Sequence, residues 1–299
     1  MSRGAALAML LAAAVVAVSA AASAPATPAR TLTLAEILAA SQPQEWRIPD
    51  PERLLYMDLP AGRVIIELAP EFAPLHAANI RQLVRAGYFD GLAILRAQDN
   101  FVVQWGDPDD RKPLGKASAE LDPEFTAPLS TGTPFTRLPD RDGYAPEVGF
   151  SDGFAVARDP EHRQQWLTHC YGAIGVARGN DPRSGNGSSL YAVIGQAPRQ
   201  LDRNIAVVGR VLRGIELLST QPRGQGAMGF YEDGAARTLI LRVRMAADVP
   251  PRERTALQVL RTDSGAFATV LEARRNRLDD WSRAPAGHVD LCNVSVPTR

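Results

Sequence analysis

Arg96 stands inside an apolar alternation, "FDGLAILRAQDNFVVQWGDP", and is followed at short range by Phe101 and Gln104. A guanidinium keeps its charge at any physiological pH, holds five N–H donors in one rigid plane, and tolerates partial burial better than an ammonium. Beside an aromatic ring and a carboxamide it suits chemistry that needs a fixed donor rather than a nucleophile, aimed at a lone pair or charge that develops as a substrate changes shape. The plain alternative is a strand-end arginine paired with a nearby acid, Asp90 or Asp107.

Other groupings carry less. "HRQQWLTHC" brings His162 and His169 close to Cys170, while His76 and His288 lie far off, and the spacing fits no familiar metal-ligand pattern. Both are read as loop residues, and neither metal nor cofactor is expected. "DDRKPLGKAS" has Asp110 where the first glycine of a phosphate loop belongs. No G-x-S-x-G elbow is present, and "RGNDPRSGNGSS" reads as a turn.

The elements around Arg96 follow from periodicity. "RVIIELAP" puts Val64, Ile66 and Leu68 on one side of a strand and Arg63 and Glu67 on the other, a half-buried strand. "APLHAANIRQLVRAG" offers Pro74 for a first helical turn, Ala77, Ile80, Leu83 and Val84 at helical spacing, and Gly87 as the stop. Strand-like runs return in "GAIGVARG", "SLYAVIG", "IAVVGRVLRG" and "ARTLILRVRMAADV", separated by glycine turns as in a sandwich or barrel. Between them, residues 108–171 are rich in Pro, Gly and Asp and read as a long surface loop insertion. "TLAEILAAS" gives one short helical face in a proline-rich N-terminal extension, 25–53, and a C-terminal appendage, 250–299, holds a strand "TALQVL" and a helix "FATVLEARRNRLDDW".

Across the 299 residues, 33 basic and 33 acidic side chains cancel without long blocks of one sign, which argues against a nucleic-acid partner. Residues 1–24 carry Arg3, an apolar run and small residues suited to cleavage, so they read as an export signal and place the protein in the periplasm or outside the cell, with no membrane contact after removal. A retained anchor is the competing reading. An oxidising compartment permits a disulfide between Cys170 and Cys292; two buried free thiols are the alternative.

Taken together, strand, helix, "FDG", "R....F..Q.GDP", "G.IGVARG" and "NGSSLYAVIG", in that order, resemble the cyclophilin family of peptidyl-prolyl cis/trans isomerases over about Leu54 to Val249. The resemblance implies a mainly β fold for 54–249: a closed eight-stranded antiparallel barrel capped by two helices, with an active groove on its outer face. It implies that Arg96 is the catalytic arginine, that Gln104 orients it, and that Phe101, Val102, Tyr191 and Leu201 wall a proline pocket. Ala177 and Arg178 match the strand edge that bonds the peptide, with Arg178 where an asparagine is common; Ser189 and Ile205 fall in the same groove. Ser189 replaces a glutamine, Gln200 a large aromatic, Ile205 a histidine, and Trp105 a small glycine, so that Trp105 should crowd the strand beside Gln104.

The implied chemistry breaks no bond. Twisting the X-Pro amide loses resonance, against a barrier of about 18–20 kcal/mol, and leaves the proline nitrogen a better acceptor that a fixed donor can stabilise. The partners implied are proline-containing segments of unfolded or exported proteins. Two rivals remain open: a noncatalytic proline-peptide binding module or holdase, and a barrel whose groove is filled by its own insertion.

Overall fold

The computed structural model describes Met1 and residues 30–129, 132–234 and 237–299; the expected leader, apart from Met1, lies outside the described residues. The chain divides into a unit Met1–Arg30 and a unit Thr31–Arg299. No helix among the described residues is long and apolar enough to cross a membrane.

In the second unit, Thr33 caps α1 (Leu34–Ala40), its hydroxyl accepting the Glu36 N–H while the Glu36 carboxylate accepts the Thr33 N–H. β1 (Trp46–Arg47) follows, then a hairpin of β2 (Leu54–Leu59) and β3 (Gly62–Leu68). α2 (Pro74–Arg85) starts on its proline and ends just before Gly87, whose φ of 68° suits a residue without a Cβ. Next come β4 (Ala93–Ala97) and β5 (Val102–Gly106). The segment read as a loop insertion holds β6 (Ala127–Pro128), β7 (Thr136–Arg137), β8 (Glu147–Ser151), β9 (Phe154–Asp159) and β10 (Gln164–Leu167). After it run β11 (Ala173–Val176), β12 (Leu190–Val193), β13 (Val207–Arg213), α3 (Ile215–Ser219), β14 (Arg242–Met245), β15 (Val259–Leu260) and α4 (Gly265–Arg275).

Eight strands make one curled antiparallel sheet in the order β14-β2-β3-β13-β11-β12-β5-β4. Val64, Ile66 and Leu68 face its inner core with Leu55, Met57, Ile174, Ala192 and Trp105, and α2 adds Ala77, Ile80, Leu83 and Val84. The second helix expected in that core is the five-residue α3, which contributes Leu218. The closed barrel expected from the resemblance is not what the pairing gives. The edge strands β14 and β4 share no ladder; irregular chain before β14 lies along the β4 edge, including an Ala93–Leu239 bridge and the Ile94 N–H to Thr238 bond of 2.9 Å.

The 108–171 segment folds, contrary to its reading as a loop. Its strands form a second sheet, β6-β10-β9-β8-β7. Two of its five strands, β6 and β7, are two residues long and carry no period, and β8 to β10 sit among the Pro-, Gly- and Asp-rich turns that the loop reading rested on. Nor is the C-terminal segment an appendage. β15 pairs with β1, and Phe267, Val270 and Leu271 of α4 share a core with Ile37 of α1, Val148, Phe150 and Trp166 of the second sheet, and Tyr56 and Ile65 on the outer face of β2–β3. The extension from Thr31 on, the insertion and the C-terminal segment are one layer laid over the main sheet, so β3 is buried on both faces, with even Glu67 fully enclosed and bonded in two places to Arg47. A disulfide between Cys170 and Cys292, Cα atoms 4.9 Å apart, ties the C-terminal segment to the end of the 108–171 segment, just before β11.

Candidate active site

Three neighbouring strands set the row that matters. β4 bulges between Ile94 and Arg96, β5 presents Gln104 opposite Arg96, and β12 presents Tyr191 opposite Gln104. A bulge adds a residue to one strand and re-aims the side chain at the irregularity. Arg96 is half-buried, and burial lowers its pKa from the ordinary arginine value without removing the charge at working pH. Neither Asp90 nor Asp107 is its bonded partner: Asp90 accepts the Val243 N–H, and Asp107 accepts those of Asp109, Arg111 and Lys112. Its Nη1 donates to Gln104 Oε1 at 3.4 Å, its Nη2 to Gln98 Oε1, and its Nε to the Met228 carbonyl at 2.5 Å. The rings of Phe101 and Phe230 each lie 5.4 Å from the guanidinium carbon, within cation–π range.

Gln104 is itself oriented. Its Nε2 donates to Ser189 Oγ at 3.1 Å, and that hydroxyl donates to the Trp105 carbonyl at 3.2 Å, so the amide oxygen faces Arg96. Phe101, Val102, Ala177, Tyr191 and Ile205 belong to one apolar cluster, with Ala127, Phe154, Val156 and Leu167 supplied by the second sheet. Leu201 sits outside that cluster, on the turn Arg199–Leu201. Phe101, Gln104, Ala177, Leu201 and Ile205 are half-buried rather than covered. The Ala177 N–H is spent on the Ser189 carbonyl at 2.9 Å, and Arg178 reaches the Asn204 carbonyl at 3.0 Å.

Tyr191 lies across Gly175, where any Cβ would come within 2.2 Å of the phenol. Its hydroxyl meets His169 Nε2 at 2.9 Å, and His169 Nδ1 meets Asp202 Oδ1 at 2.8 Å. Burial pushes the Tyr191 pKa far up, so the phenol stays protonated beside His169. Burial also opposes the Asp202 charge, but the His169 bond and the Arg199 charge outweigh it and hold the carboxyl below its ordinary pKa. Arg199 continues to Asp142 with bonds of 2.8 and 3.1 Å. His169, read as a loop residue, does lie between β10 and β11, and it is fully buried behind Tyr191. His162 is on the surface, bonded to Asp159. Among the described residues no His, Cys, Asp and Glu cluster could hold a metal.

The sequence model of the family described as "Cyclophilin type peptidyl-prolyl cis-trans isomerase/CLD" matches residues 54–228. The chain belongs to the cyclophilin-type peptidyl-prolyl isomerases. It is 28% identical over 201 residues to a "Probable peptidyl-prolyl cis-trans isomerase" of Brucella suis, an alignment covering 67% of this chain and 85% of that protein. Its fold is similar to that of the cyclophilin AquaCyp293 from Hirschia baltica, with a TM-score of 0.70 and 27% identity over 90% of this chain and 97% of that one.

Within this cyclophilin the departures from the fullest pattern acquire places. Trp105, next to Gln104 in sequence, points to the opposite face and is fully buried in the inner core, so it fills the interior and does not crowd the arginine. Ser189 does not reach as far as a glutamine would but is the group that fixes Gln104. Gln200 is exposed on the turn next to Leu201. Sequence reasoning missed Gln98, Met228 and Phe230 at the arginine and His169 and Asp202 behind Tyr191. Gln98 had a signal, since residues two apart on a strand share a face; the others meet the site only through the fold.

Proposed function

We propose that this isomerase acts through Arg96, held by Gln104, on X-Pro bonds seated with the proline ring among Phe101, Val102, Tyr191, Leu201 and Ile205. The observation that carries the reading is the half-buried guanidinium opposite Gln104, beside an apolar cluster containing Phe101 and Tyr191. As the amide twists, the proline nitrogen pyramidalises and accepts a hydrogen bond; a charged planar donor already in position stabilises that geometry without reorganising. Water is kept from one side by the apolar walls, which strengthens the electrostatic contribution. A million-fold acceleration requires roughly 8 kcal/mol of differential stabilisation, shared between positioning and charge. Arg96→Ala in a protease-coupled assay on short proline peptides is the test: a fall of about 10²–10³ in kcat/KM supports the reading, because removing one preorganised donor costs that much, and an unchanged value refutes it.

The proposed setting is outside the cytoplasm, on exported proteins during folding. The Cys170–Cys292 disulfide supports this, since such bonds persist in oxidising compartments, as does the leader-like 1–24. Fractionation of cells expressing the tagged full chain checks it: protein retained in the cytosol with both thiols reactive excludes this setting.

A further inference from the structure

Five donors leave a guanidinium, and Arg96 spends three within the chain: on Gln104, on Gln98 and on the Met228 carbonyl. The acceptors approach from different sides. Gln104 comes from β5, Gln98 from the end of β4 itself, and Met228 from the segment 224–231, which runs along the free edge of β4. That segment is laid down by the Gly224 N–H to Ala97 bond, the Tyr231 N–H to Leu95 bond, both 3.0 Å, and an Arg96–Phe230 bridge. At Gly229, φ is 77° and a Cβ would stand 2.7 Å from the Gln98 Cα, so the segment lies against Gln98 with no room for a side chain. Met228 has a φ of 55°, a left-handed conformation uncommon for a residue with a side chain, and it is this residue whose carbonyl meets Arg96 Nε.

We infer that Gln98 and the 224–231 segment are a second positioning device for Arg96, acting with Gln104 to leave one free N–H on each terminal nitrogen for the substrate. The inference rests on the reading of Arg96 as the catalytic group. With only Gln104 the guanidinium would swing about its last torsions; acceptors on Nε and Nη2 fix its plane, and Phe230 adds a second ring 5.4 Å from its carbon besides Phe101. Misplacement of a donor by an ångström is enough to cost much of its effect. Gln98 and Phe230 touch Arg96 and not the reacting bond, so both are positioning residues.

The test uses the full chain and separates kcat from KM on a proline peptide. Gln98→Met, close in size but without an acceptor, lowers kcat about tenfold, the worth of one charge-assisted bond, with KM within about twofold and Tm unchanged. Gln98→Glu, which keeps an acceptor oxygen, recovers most of that loss. Phe230→Leu, which keeps apolar bulk but removes the ring face, also lowers kcat more than it raises KM. Wild-type kcat in Gln98→Met while Arg96→Ala is inactive overturns the positioning role alone. Loss of Tm with kcat and KM affected alike, and no recovery in Gln98→Glu, shows a merely structural role and also overturns it. Wild-type turnover in Arg96→Ala removes the reading beneath it, and the inference with it.

Discussion

The role proposed for Arg96 needs a group that is charged and still, and neither property depends on pH in the working range. Burial lowers its pKa, yet an arginine stays protonated, and the reaction moves no proton between enzyme and substrate. The kcat of the isomerase is therefore expected to be flat from about pH 6 to 9; a bell-shaped profile would mean that a titrating group takes part. Arg96→Lys is not a rescue, since an ammonium offers neither the plane nor the fork that three acceptors grip. Trp105 belongs to a different account. It is a fully buried inner-core side chain, and Trp105→Gly should destabilise by about 3–5 kcal/mol through the cavity left behind, read as a lowered urea midpoint. At this scale the sequence was informative where several residues fell in family order, as with Arg96, Phe101 and Gln104. It misplaced Trp105, expected to crowd the strand beside Gln104, because which face of β5 turns inward is settled only when the sheet packs on its core.

The short run from β10 to β11 backs Tyr191. It carries His169 and Cys170 between Trp166 and Ala173, so that the second sheet, the pocket wall at Tyr191 and the turn at Asp202 meet on one buried imidazole. Tyr191→Phe keeps the ring but strands His169 Nε2 in a dry site. A cost of about 1–2 kcal/mol, a few degrees of Tm, is expected, and an unaltered melt would mean the bond contributes nothing. The Asp202 carboxyl, held below its ordinary pKa in the fold, binds its proton less readily there than in the unfolded chain. Its contribution is therefore present above the unfolded value near 3.8 and is lost as pH falls through the folded one. Thermal melts should fall steeply with pH below about 4, and Asp202→Asn should flatten that fall; parallel curves for the two proteins would contradict it. The strands with long alternation, β3 and β13, and the helix α2 were legible in the sequence. β6 and β7 were not, since two residues between prolines and glycines carry no period, and His169 had no local mark of burial.

At the scale of the whole molecule, the barrel-like sheet of this cyclophilin is one part of a larger body. The N-terminal extension, the insertion and the C-terminal segment each lack a core and obtain one together over β2 and β3. Removing 250–299 should thus expose apolar surface and yield an insoluble or molten protein, and not a trimmed, active domain; a soluble truncation with a native melt would show the layer to be dispensable. The disulfide closes a loop of 122 residues between those parts. In the chain-entropy account its loss costs about 4–5 kcal/mol, so Cys292→Ser should unfold at markedly lower denaturant. None of this shared layer could be read from segments that are separate in sequence, because the pairing of β1 with β15 joins chain positions far apart. The central claim is that a fixed guanidinium lowers the barrier to rotation about the X-Pro amide. Exchange spectroscopy on a proline peptide at equilibrium, with affinity measured on the same samples, tests it most directly. Fast cis/trans exchange with the wild-type chain, lost in Arg96→Ala while peptide binding persists, is the result expected. Binding without faster exchange in the wild type, or exchange indifferent to Arg96, would contradict it and leave a binding module in its place.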